Sequence, residues 1–340
     1  MAVIKAILSR LTDTLHELPV LVLMPHSRCN CRCVMCDIWK ANQQKKEITT
    51  EEFSRHVESF RRLGVKYIAL SGGEALMHAN LWRLCEMMRS AGMHISLLST
   101  GITLAQHAEN VVRHVDEVIV SLDGPPEVHN TIRNISSAYE KLSQGVAALQ
   151  KLNPDFRITG RCVLQKLNYR YLPDIVRTAQ TLRLQQISFL AADVSTSAFN
   201  REAPWTDEKV VQIELNETET QEFESLLKET FREFESAYQS KFIAESPAKM
   251  LELAQYYKAM LGKASFPGRK CNAPWVSAVI ESDGEVRPCF FHASYGNLLT
   301  STFDAIINSE TAKAFRRKLD VKTDPICQRC VCSLHRGVLS

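Results

Sequence analysis

The chain has 340 residues, of which 45% are hydrophobic and 23% are charged, which is enough to bury one large core or one core with a small appendage. The formal net charge is only +3 and no run of five or six basic residues occurs, so nucleic acid is not indicated as a partner. The sequence shows no signal-peptide pattern and no run of about 18 apolar residues, so we expect a cytoplasmic protein with no membrane partner.

The predicted elements begin with a short amphipathic helix over residues 2–17, after which short β-rich runs alternate with helical stretches. Six such β–α repeats favour parallel strands joined by right-handed crossovers. The expected fold is therefore α/β, a partial (β/α)6 TIM-like barrel with its chemistry at the carboxyl ends of the strands. The predicted strands are Val20–Met24, Tyr67–Ser71, His94–Ser99, Glu117–Ser121, Arg157–Gln165 and Gln186–Leu190. The predicted helices are residues 50–62, 79–91, 104–113, 137–152 and 170–182.

The pattern changes after the sixth strand. Residues 191–217 look rich in loops, and residues 218–238 and 246–261 are expected to be helical. Beyond residue 275 a β-hairpin is predicted, because Asp283-Gly284 supplies the left-handed turn geometry. The expected organisation is an N-terminal helix over 1–19, a barrel over 20–200, a helical linker region over 201–264 and a small α+β domain over 265–340.

Nine of the eleven cysteines fall in two tight groups, which in a reducing compartment indicates metal ligation rather than disulfides. In the first group, directly after the first strand, Cys29, Cys33 and Cys36 have the spacing Cys-x3-Cys-x2-Cys. Three thiolates can hold three irons of a four-iron cluster and leave the fourth iron open for a ligand. The alternative is a structural zinc site that uses Cys31 as a fourth ligand, although its position between Cys29 and Cys33 would strain such a site.

This cysteine loop resembles that of the radical S-adenosylmethionine (SAM) superfamily, whose signature has the same spacing after the first barrel strand. The resemblance implies a catalytic [4Fe–4S] cluster with SAM as the cofactor at its open iron. The family usually has an aromatic residue before the last cysteine, where this chain has Met35. Met35 is not a ligand position, so the departure is mild.

The same resemblance extends to residues that follow the next three strands. Gly72, Gly73 and Glu74 resemble the family's Gly-Gly-Glu-Pro motif, which binds the amino group of the cofactor, and Ser99-Thr100-Gly101 stands where the family often has Thr-Asn-Gly. After the fourth strand, the resemblance implies that Ser121 and Asp123 contact the ribose or carboxylate and that Arg133 fixes this loop. The alternative is that Asp123-Gly124-Pro125 is simply a turn.

The fifth strand carries Arg161 and Cys162 on opposite faces. Arg161 is expected to pair with the cofactor carboxylate, because a guanidinium suits that geometry, or to form a salt bridge elsewhere. Cys162 is a candidate hydrogen-atom donor to a substrate radical, as an epimerase needs. The alternative for Cys162 is plain core packing.

The second cysteine group lies near the C-terminus. Cys271, Cys289, Cys327 and Cys330 supply four thiolates for a second cluster, or for tetrahedral zinc as the alternative. The surrounding sequence resembles the SPASM extension in its shortened Twitch form, which implies one auxiliary [4Fe–4S] cluster. The family pattern favours Cys330 over Cys332 as the fourth ligand.

The resemblance implies an enzyme that generates a 5′-deoxyadenosyl radical, with an external electron donor such as flavodoxin or ferredoxin. We expect a substrate that is a sugar-, aminocyclitol- or nucleoside-like small molecule in natural-product biosynthesis, and an epimerisation, dehydrogenation or decarboxylation as the outcome. Modification of a ribosomal peptide is the alternative enzyme function. We disfavour it because relatives that modify such peptides usually carry a separate peptide-binding domain, whereas only about 18 residues precede the first strand here. A non-catalytic zinc-binding interaction protein is the alternative from another class.

Overall fold

The computed structural model describes residue 5 and residues 8–9, 11–198, 201 and 203–337. The predicted N-terminal helix falls partly outside these residues, but Lys5, Leu8, Ser9, Leu11 and Thr12 are helical. Within the described ranges, no helix combines the length and the apolar character that a membrane crossing requires.

Nine strands form one open sheet in the order β6-β5-β4-β3-β2-β1-β7-β8-β9. Neighbouring strands from β6 to β7 are parallel, and the last two pairs are antiparallel. Because the parallel sheet does not close on itself, it is a partial barrel, which confirms the predicted fold class. The strands are β1 Val20–Leu23, β2 Tyr67–Leu70, β3 His94–Ser99, β4 Glu117–Ser121, β5 Arg157–Leu164, β6 Gln186–Ala191, β7 Ser277–Ile280, β8 Glu285–Arg287 and β9 Gly296–Asn297.

The C-terminal hairpin joins the barrel sheet instead of forming a separate sheet. Val20 to Leu23 of β1 pair in parallel with Ser277 to Ile280 of β7, and all four β7 residues are buried. An unpaired β1 would expose a row of backbone hydrogen-bonding groups at the sheet edge. The pairing satisfies those groups and fixes the C-terminal cysteine region beside the first cysteine loop.

Helices connect the strands and cover the sheet. The first predicted helix is broken into two at Arg55–His56, and Thr49 forms a capping box with Glu52 at its start. The α-helices are α1 Thr50–Ser54, α2 Val57–Arg62, α3 Leu81–Ser90, α4 Ala108–His114, α5 Pro126–Arg133, α6 Ala138–Leu152, α7 Leu172–Thr181, α8 Asp207–Val210, α9 Glu217–Glu233, α10 Glu235–Gln239, α11 Pro247–Met260, α12 Ala273–Val276, α13 Phe303–Ile307, α14 Glu310–Lys318 and α15 Pro325–Gln328. Short 3-10 helices cover Ile38–Gln43, Ala75–Met77, Leu104–His107 and Tyr169–Tyr171.

The region between the barrel and the hairpin contains the expected helices, and these pack into the main core. Phe223 and Leu227 of α9 are fully buried there, together with Tyr256 and Tyr257 of α11. The Tyr257 hydroxyl donates to the Leu164 carbonyl at the end of β5 over 2.5 Å. The helices α9 and α11 therefore support the last strands of the barrel as well as connecting it to the hairpin.

Candidate functional site

A cavity of about 250 Å³, here called the inner cavity, lies at the carboxyl ends of the parallel strands. This is where the loops of a parallel β–α fold converge. Phe290, Val331 and Cys332 close it from the C-terminal side. Nine of the sequence-predicted site residues line it, namely Cys29, Cys33, Cys36, Gly72, Gly73, Ser99, Thr100, Ser121 and Arg161.

The first cysteine loop is held by backbone and amide hydrogen bonds. The Arg32 and Val34 amides donate to the carbonyls of Arg133 and Ile132 at the end of α5, over 3.1 and 3.0 Å. Asn42 binds Cys29 twice, accepting from its amide and donating to its carbonyl, both over 2.9 Å. These contacts hold Cys29, Cys33 and Cys36 on one wall of the inner cavity, as a three-thiolate site requires.

Cys33 is prepared electrostatically for ligation. A hydrogen bond from the Cys31 thiol lowers the pKa of Cys33, against the effect of burial and with help from Arg133. The Arg133 guanidinium lies 3.5 Å from the Cys33 sulfur. Since the thiolate is the ligand form of cysteine, this arrangement favours metal binding, and it gives Cys31 a supporting contact without making it a ligand.

Arg133 also forms a buried ion pair with Asp123. The two side chains are 2.5 Å apart, and Asp123 is fully buried. Although burial opposes its charge, the Asp123 carboxylate and then Cys33 hold the pKa of Arg133 above its usual range. Asp123 is not among the residues that line the inner cavity. In this structure the Asp123 carboxylate positions Arg133, and its predicted contact with the cofactor stays a prediction. Ser121 does face the cavity.

Glu74 also turns away from the inner cavity. Its carboxylate accepts hydrogen bonds from the Thr100 amide (2.7 Å), the Thr100 hydroxyl (2.7 Å) and the Ser99 hydroxyl (3.1 Å), and from the Leu76 amide (3.3 Å). Burial raises the pKa of Glu74, although these donors favour the carboxylate. In this structure Glu74 ties the loop after β2 to the end of β3, and its predicted role with the cofactor amino group stays a prediction.

The two glycines before Glu74 let the loop after β2 contact the cysteine loop. Gly72 has φ +105° and a Cβ there would lie 3.0 Å from the Met24 Cβ, while a Cβ on Gly73 would overlap the Arg28 carbonyl. That carbonyl accepts from the Glu74 amide over 2.9 Å. The close neighbour that leaves no room for a side chain at these two positions is therefore the chain from Met24 to Cys29, which leads into the cysteine loop.

Arg161 and Cys162 lie on opposite faces of β5, as the strand period requires. Arg161 lines the inner cavity, and its Nε donates to the Ser188 hydroxyl over 3.5 Å. No ion pair of Arg161 is found among the described residues, which leaves its guanidinium available to a carboxylate in the cavity. Cys162 is fully buried in the core, 3.5 Å from the Asn168 amide, and does not line the cavity. This position favours a core-packing role for Cys162, and the role of Cys162 as hydrogen-atom donor stays a prediction.

The inner cavity therefore suits the predicted cofactors chemically. Three thiols line one wall of the cavity, and hydroxyl groups and a guanidinium line the other walls. The Asn30 Nδ2, on the cysteine loop, is buried and has no hydrogen-bond partner among the described residues. Thiolates bind iron, and hydroxyl and guanidinium groups bind ribose and carboxylate oxygens.

A second, small cavity of about 30 Å³, here called the auxiliary cavity, brings the C-terminal cysteines together. The segment after α15 is tied to the start of α12 because Asn272 accepts from the Arg336 amide (2.9 Å) and donates to the Leu334 and Arg336 carbonyls. The residues of the auxiliary cavity include the four predicted ligands and one further thiol, as follows: Cys271, Cys289, Cys327, Cys330 and Cys332.

Two polar residues at these cavities, Asp193 and His292, were not identified from the sequence, and Cys332 was considered only as the disfavoured fourth ligand of the auxiliary cluster. Cys332 lines both the inner and the auxiliary cavity. Asp193, two residues after the end of β6, lines the inner cavity and forms a buried 2.7 Å ion pair with Arg201. The strand-end rule, applied to the sixth strand, would have found it. His292 lies 3.4 Å from the Cys327 sulfur, and its spacing of three residues from Cys289 was the available signal.

Comparison with known protein families gives two matches. Residues 23–179 match the Radical SAM superfamily, and residues 271–331 match the SPASM iron–sulfur cluster-binding domain. The first of these families implies SAM and a [4Fe–4S] cluster, and the second implies auxiliary iron–sulfur binding. Together they confirm the predicted cofactors and leave the zinc alternatives without support.

Individual relatives are distant. The AdoMet-dependent heme synthase of Methanosarcina barkeri is 27% identical over 154 residues, which is 44% of this chain and 43% of that protein. The subtilosin biosynthesis protein AlbA of Bacillus subtilis is 22% identical over 296 residues, 83% of this chain and 58% of that protein. The chain thus spans less than half of the first relative and somewhat more than half of the second.

Among solved structures, Streptococcus suis SuiB bound to its precursor peptide SuiA superposes with a TM-score of 0.65. The superposition covers 96% of this chain and 74% of SuiB, at 13% sequence identity. A likeness at that identity supports the fold, including the C-terminal region, and does not by itself transfer a substrate.

Proposed function

Because the chain carries a radical SAM domain followed by a SPASM iron–sulfur domain, we propose that it is an enzyme that abstracts a hydrogen atom from a polar small molecule. The substrate class is sugar-like, aminocyclitol-like or nucleoside-like, and the outcome is an epimerisation, a dehydrogenation or a decarboxylation. The proposal depends on one observation, namely that the inner cavity adjoins a second cavity with polar walls.

This second cavity, here called the outer cavity, has a volume of about 330 Å³ and shares Met24, Gly72, Gly73 and Phe290 with the inner cavity. A cavity of this size is in the range of small-molecule sites. A ligand in the outer cavity would therefore lie next to the space enclosed by the three thiols.

The walls of the outer cavity suit a ligand with several hydroxyl groups. Lys46 pairs with Asp283 over 3.2 Å, and Arg287 pairs with Glu281 over 3.1 Å. Since these charges are already balanced, they offer hydrogen-bond donors and acceptors without selecting for a strongly charged ligand. Hydrogen-bonding walls of this kind fix the orientation of a polyol or a nucleoside.

When bound, the cluster and SAM supply a 5′-deoxyadenosyl radical that takes a hydrogen atom from an unactivated carbon. The residues of this chain bind the cofactor, orient the substrate and enclose both. In our proposal Arg161 holds the cofactor carboxylate, Ser99, Thr100 and Ser121 bind its polar groups, and Phe290 separates the two cavities. An external one-electron donor such as flavodoxin or ferredoxin would supply the electron that reductive cleavage of SAM consumes.

Modification of a peptide is the second candidate, and a specific observation favours it. The similarity to the bacteriocin biosynthesis protein AlbA covers 83% of this chain, and the likeness to SuiB, which was solved with a precursor peptide, covers 96%. Both coverages are larger than the radical SAM match over residues 23–179 could give alone, whereas the matched part of the heme synthase covers 44% of the chain.

The experiment that separates the two candidates is an anaerobic reaction of the reduced holoenzyme with perdeuterated substrates. We expect deuterium in the recovered 5′-deoxyadenosine with at least one sugar, aminocyclitol or nucleoside. Transfer of deuterium only from peptides would reject the small-molecule proposal in favour of the second candidate.

A variant that narrows the outer cavity locates the substrate. Ser282 lines the outer cavity but not the inner one, so Ser282→Trp should sharply reduce deuterium transfer while SAM cleavage without substrate persists. Val211→Trp is the matched control, since Val211 is 59% exposed and lines neither cavity. Equal transfer by both variants would place the substrate elsewhere.

A further inference from the structure

His292 is a buried imidazole in the auxiliary cavity, among the C-terminal cysteines. It follows Cys289 by three residues, on the segment between β8 and β9. Its ring packs edge-on against Phe315 of α14, with the ring centroids 4.9 Å apart at an angle of 66°. This packing holds the plane of the ring.

In that orientation the Nε2 atom points at a predicted cluster ligand. It lies 3.4 Å from the Cys327 sulfur and 3.7 Å from Asp324 Oδ1. Asp324 is fixed independently, because the same oxygen accepts from the amides of Ile326 (3.0 Å) and Cys327 (2.8 Å). The imidazole, the carboxylate and the sulfur thus meet within 4.8 Å.

Three such groups could also hold a single metal ion. Two facts argue against that use. The Cys327 thiolate is needed by the cluster that the SPASM domain implies, and the Asp324 oxygen nearest to His292 is already engaged by two backbone amides. Among the described residues, the remaining polar contact of the His292 ring is the one with the Cys327 sulfur.

We propose that His292 donates a hydrogen bond from Nε2 to the Cys327 sulfur of the auxiliary cluster and thereby raises the reduction potential of that cluster. Hydrogen bonds to ligating sulfurs stabilise the reduced, more negative state of an iron–sulfur cluster. His292 is therefore a positioning and tuning residue for electron transfer and not a cluster ligand. The inference rests on the SPASM assignment and is independent of the substrate.

The test measures the potential of the auxiliary cluster alone. A full-length background with Cys29, Cys33 and Cys36 changed to Ala retains only that cluster, and its midpoint potential is read by EPR redox titration. We expect His292→Phe to lower the potential and His292→Gln, which keeps an N–H donor, to restore it in part. His335→Phe is the control, since His335 is exposed and is not among the residues of the auxiliary cavity.

An unchanged potential in His292→Phe, with full iron content, would overturn the proposal. If that variant loses its iron, pulsed EPR of the background protein labelled with ¹⁵N-histidine decides the question. A weak nitrogen coupling supports the hydrogen bond, whereas a strong coupling, typical of a ligand, or no coupling overturns it. Failure to cleave SAM in the wild-type enzyme would contradict the proposed function and leave these measurements unaffected.

Discussion

Cys330 and Cys332 are two residues apart, yet their surroundings differ. Cys330 is half-buried and lines the auxiliary cavity but not the inner one. Cys332 is exposed and lines both cavities. The Cys332 amide donates to the Cys330 sulfur over 3.3 Å, as backbone amides do to ligating sulfurs. The surroundings thus favour Cys330 as the fourth ligand.

We expect the Cys330→Ser protein to bind about four irons and the Cys332→Ser protein about eight, because only the former loses a ligand of a four-iron cluster. Iron and acid-labile sulfide analysis after anaerobic reconstitution measures this. Should Cys332→Ser lose half of the iron while Cys330→Ser keeps it, the assignment of the two cysteines must be exchanged.

Glu214 is a buried carboxyl whose Oε1 has no hydrogen-bond partner among the described residues. Burial, and then the Asp193 carboxylate, raise the pKa of Glu214 to about 7. In the folded protein Glu214 therefore keeps its proton up to about pH 7, whereas in the unfolded chain it loses the proton above its ordinary pKa of 4.5. Stability from this group is present below about pH 4.5 and is lost as the pH rises to about 7.

Glu214→Gln should remove this loss of folding stability at high pH, because an amide does not titrate. At pH 8 the variant is expected to be more stable than the wild type by on the order of 3 kcal/mol, and at pH 4.5 the difference should vanish. Urea denaturation of the apo-protein at both pH values gives the comparison. A difference that is the same at both pH values would show that Glu214 is not the titrating group.

At the scale of elements, the turn between β7 and β8 determines how the C-terminal cysteines reach the barrel. Gly284 has φ +85°, and a Cβ there would lie 2.7 Å from the Asn297 Oδ1. Asn297 in turn donates to the Asp283 carbonyl (2.9 Å) and to Glu285 (3.1 Å). The turn therefore needs a residue that adopts the left-handed backbone conformation and has no side chain.

Gly284→Ala is expected to destabilise the protein by about 2 kcal/mol or more, since the left-handed backbone costs about 1 kcal/mol and the displaced Asn297 adds to it. Loss of iron from the auxiliary cluster should also be faster. Gly262→Ala is the control, because Gly262 has φ +70° and no atom within 4 Å of its Cβ position. Equal effects of the two substitutions would show that the Asn297 contact is unimportant.

The strands of the barrel could be predicted well from local pattern. His94–Ser99 and Glu117–Ser121 have the predicted bounds, because alternating burial leaves a period of two in the sequence. The pairing of β1 with β7 could not be predicted, since it joins residues about 250 positions apart and leaves no local signal. The break of the first helix at Arg55–His56 was also missed, because both residues are compatible with a helix.

The site shows the same division. Cysteine spacing is local, and Cys29, Cys33 and Cys36 were found from it and do share the inner cavity. The partners of Glu74 and Asp123 depend on where other loops arrive, so the sequence could not reveal that Ser99, Thr100 and Arg133 engage them. Polar strand-end residues were located correctly, but which of them face the cavity was decided by tertiary packing.

At the scale of the whole molecule, one sheet carries two cysteine sites on adjoining cavities. The parallel strands collect the first cysteine loop and the residues around the inner cavity, and the hairpin on β1 brings the second group beside it. Cys332 lies in the wall between them. The two proposed cluster sites are therefore neighbours.

The central claim is that three thiols hold a cluster that cleaves SAM, and formation of 5′-deoxyadenosine tests it most directly. The anaerobically reconstituted, reduced holoenzyme should convert SAM to 5′-deoxyadenosine and methionine, Cys36→Ser should form none while retaining its auxiliary iron, and Cys85→Ala, in the core outside both cysteine sites, should remain active. A fully iron-loaded wild-type protein that releases no 5′-deoxyadenosine would contradict the account.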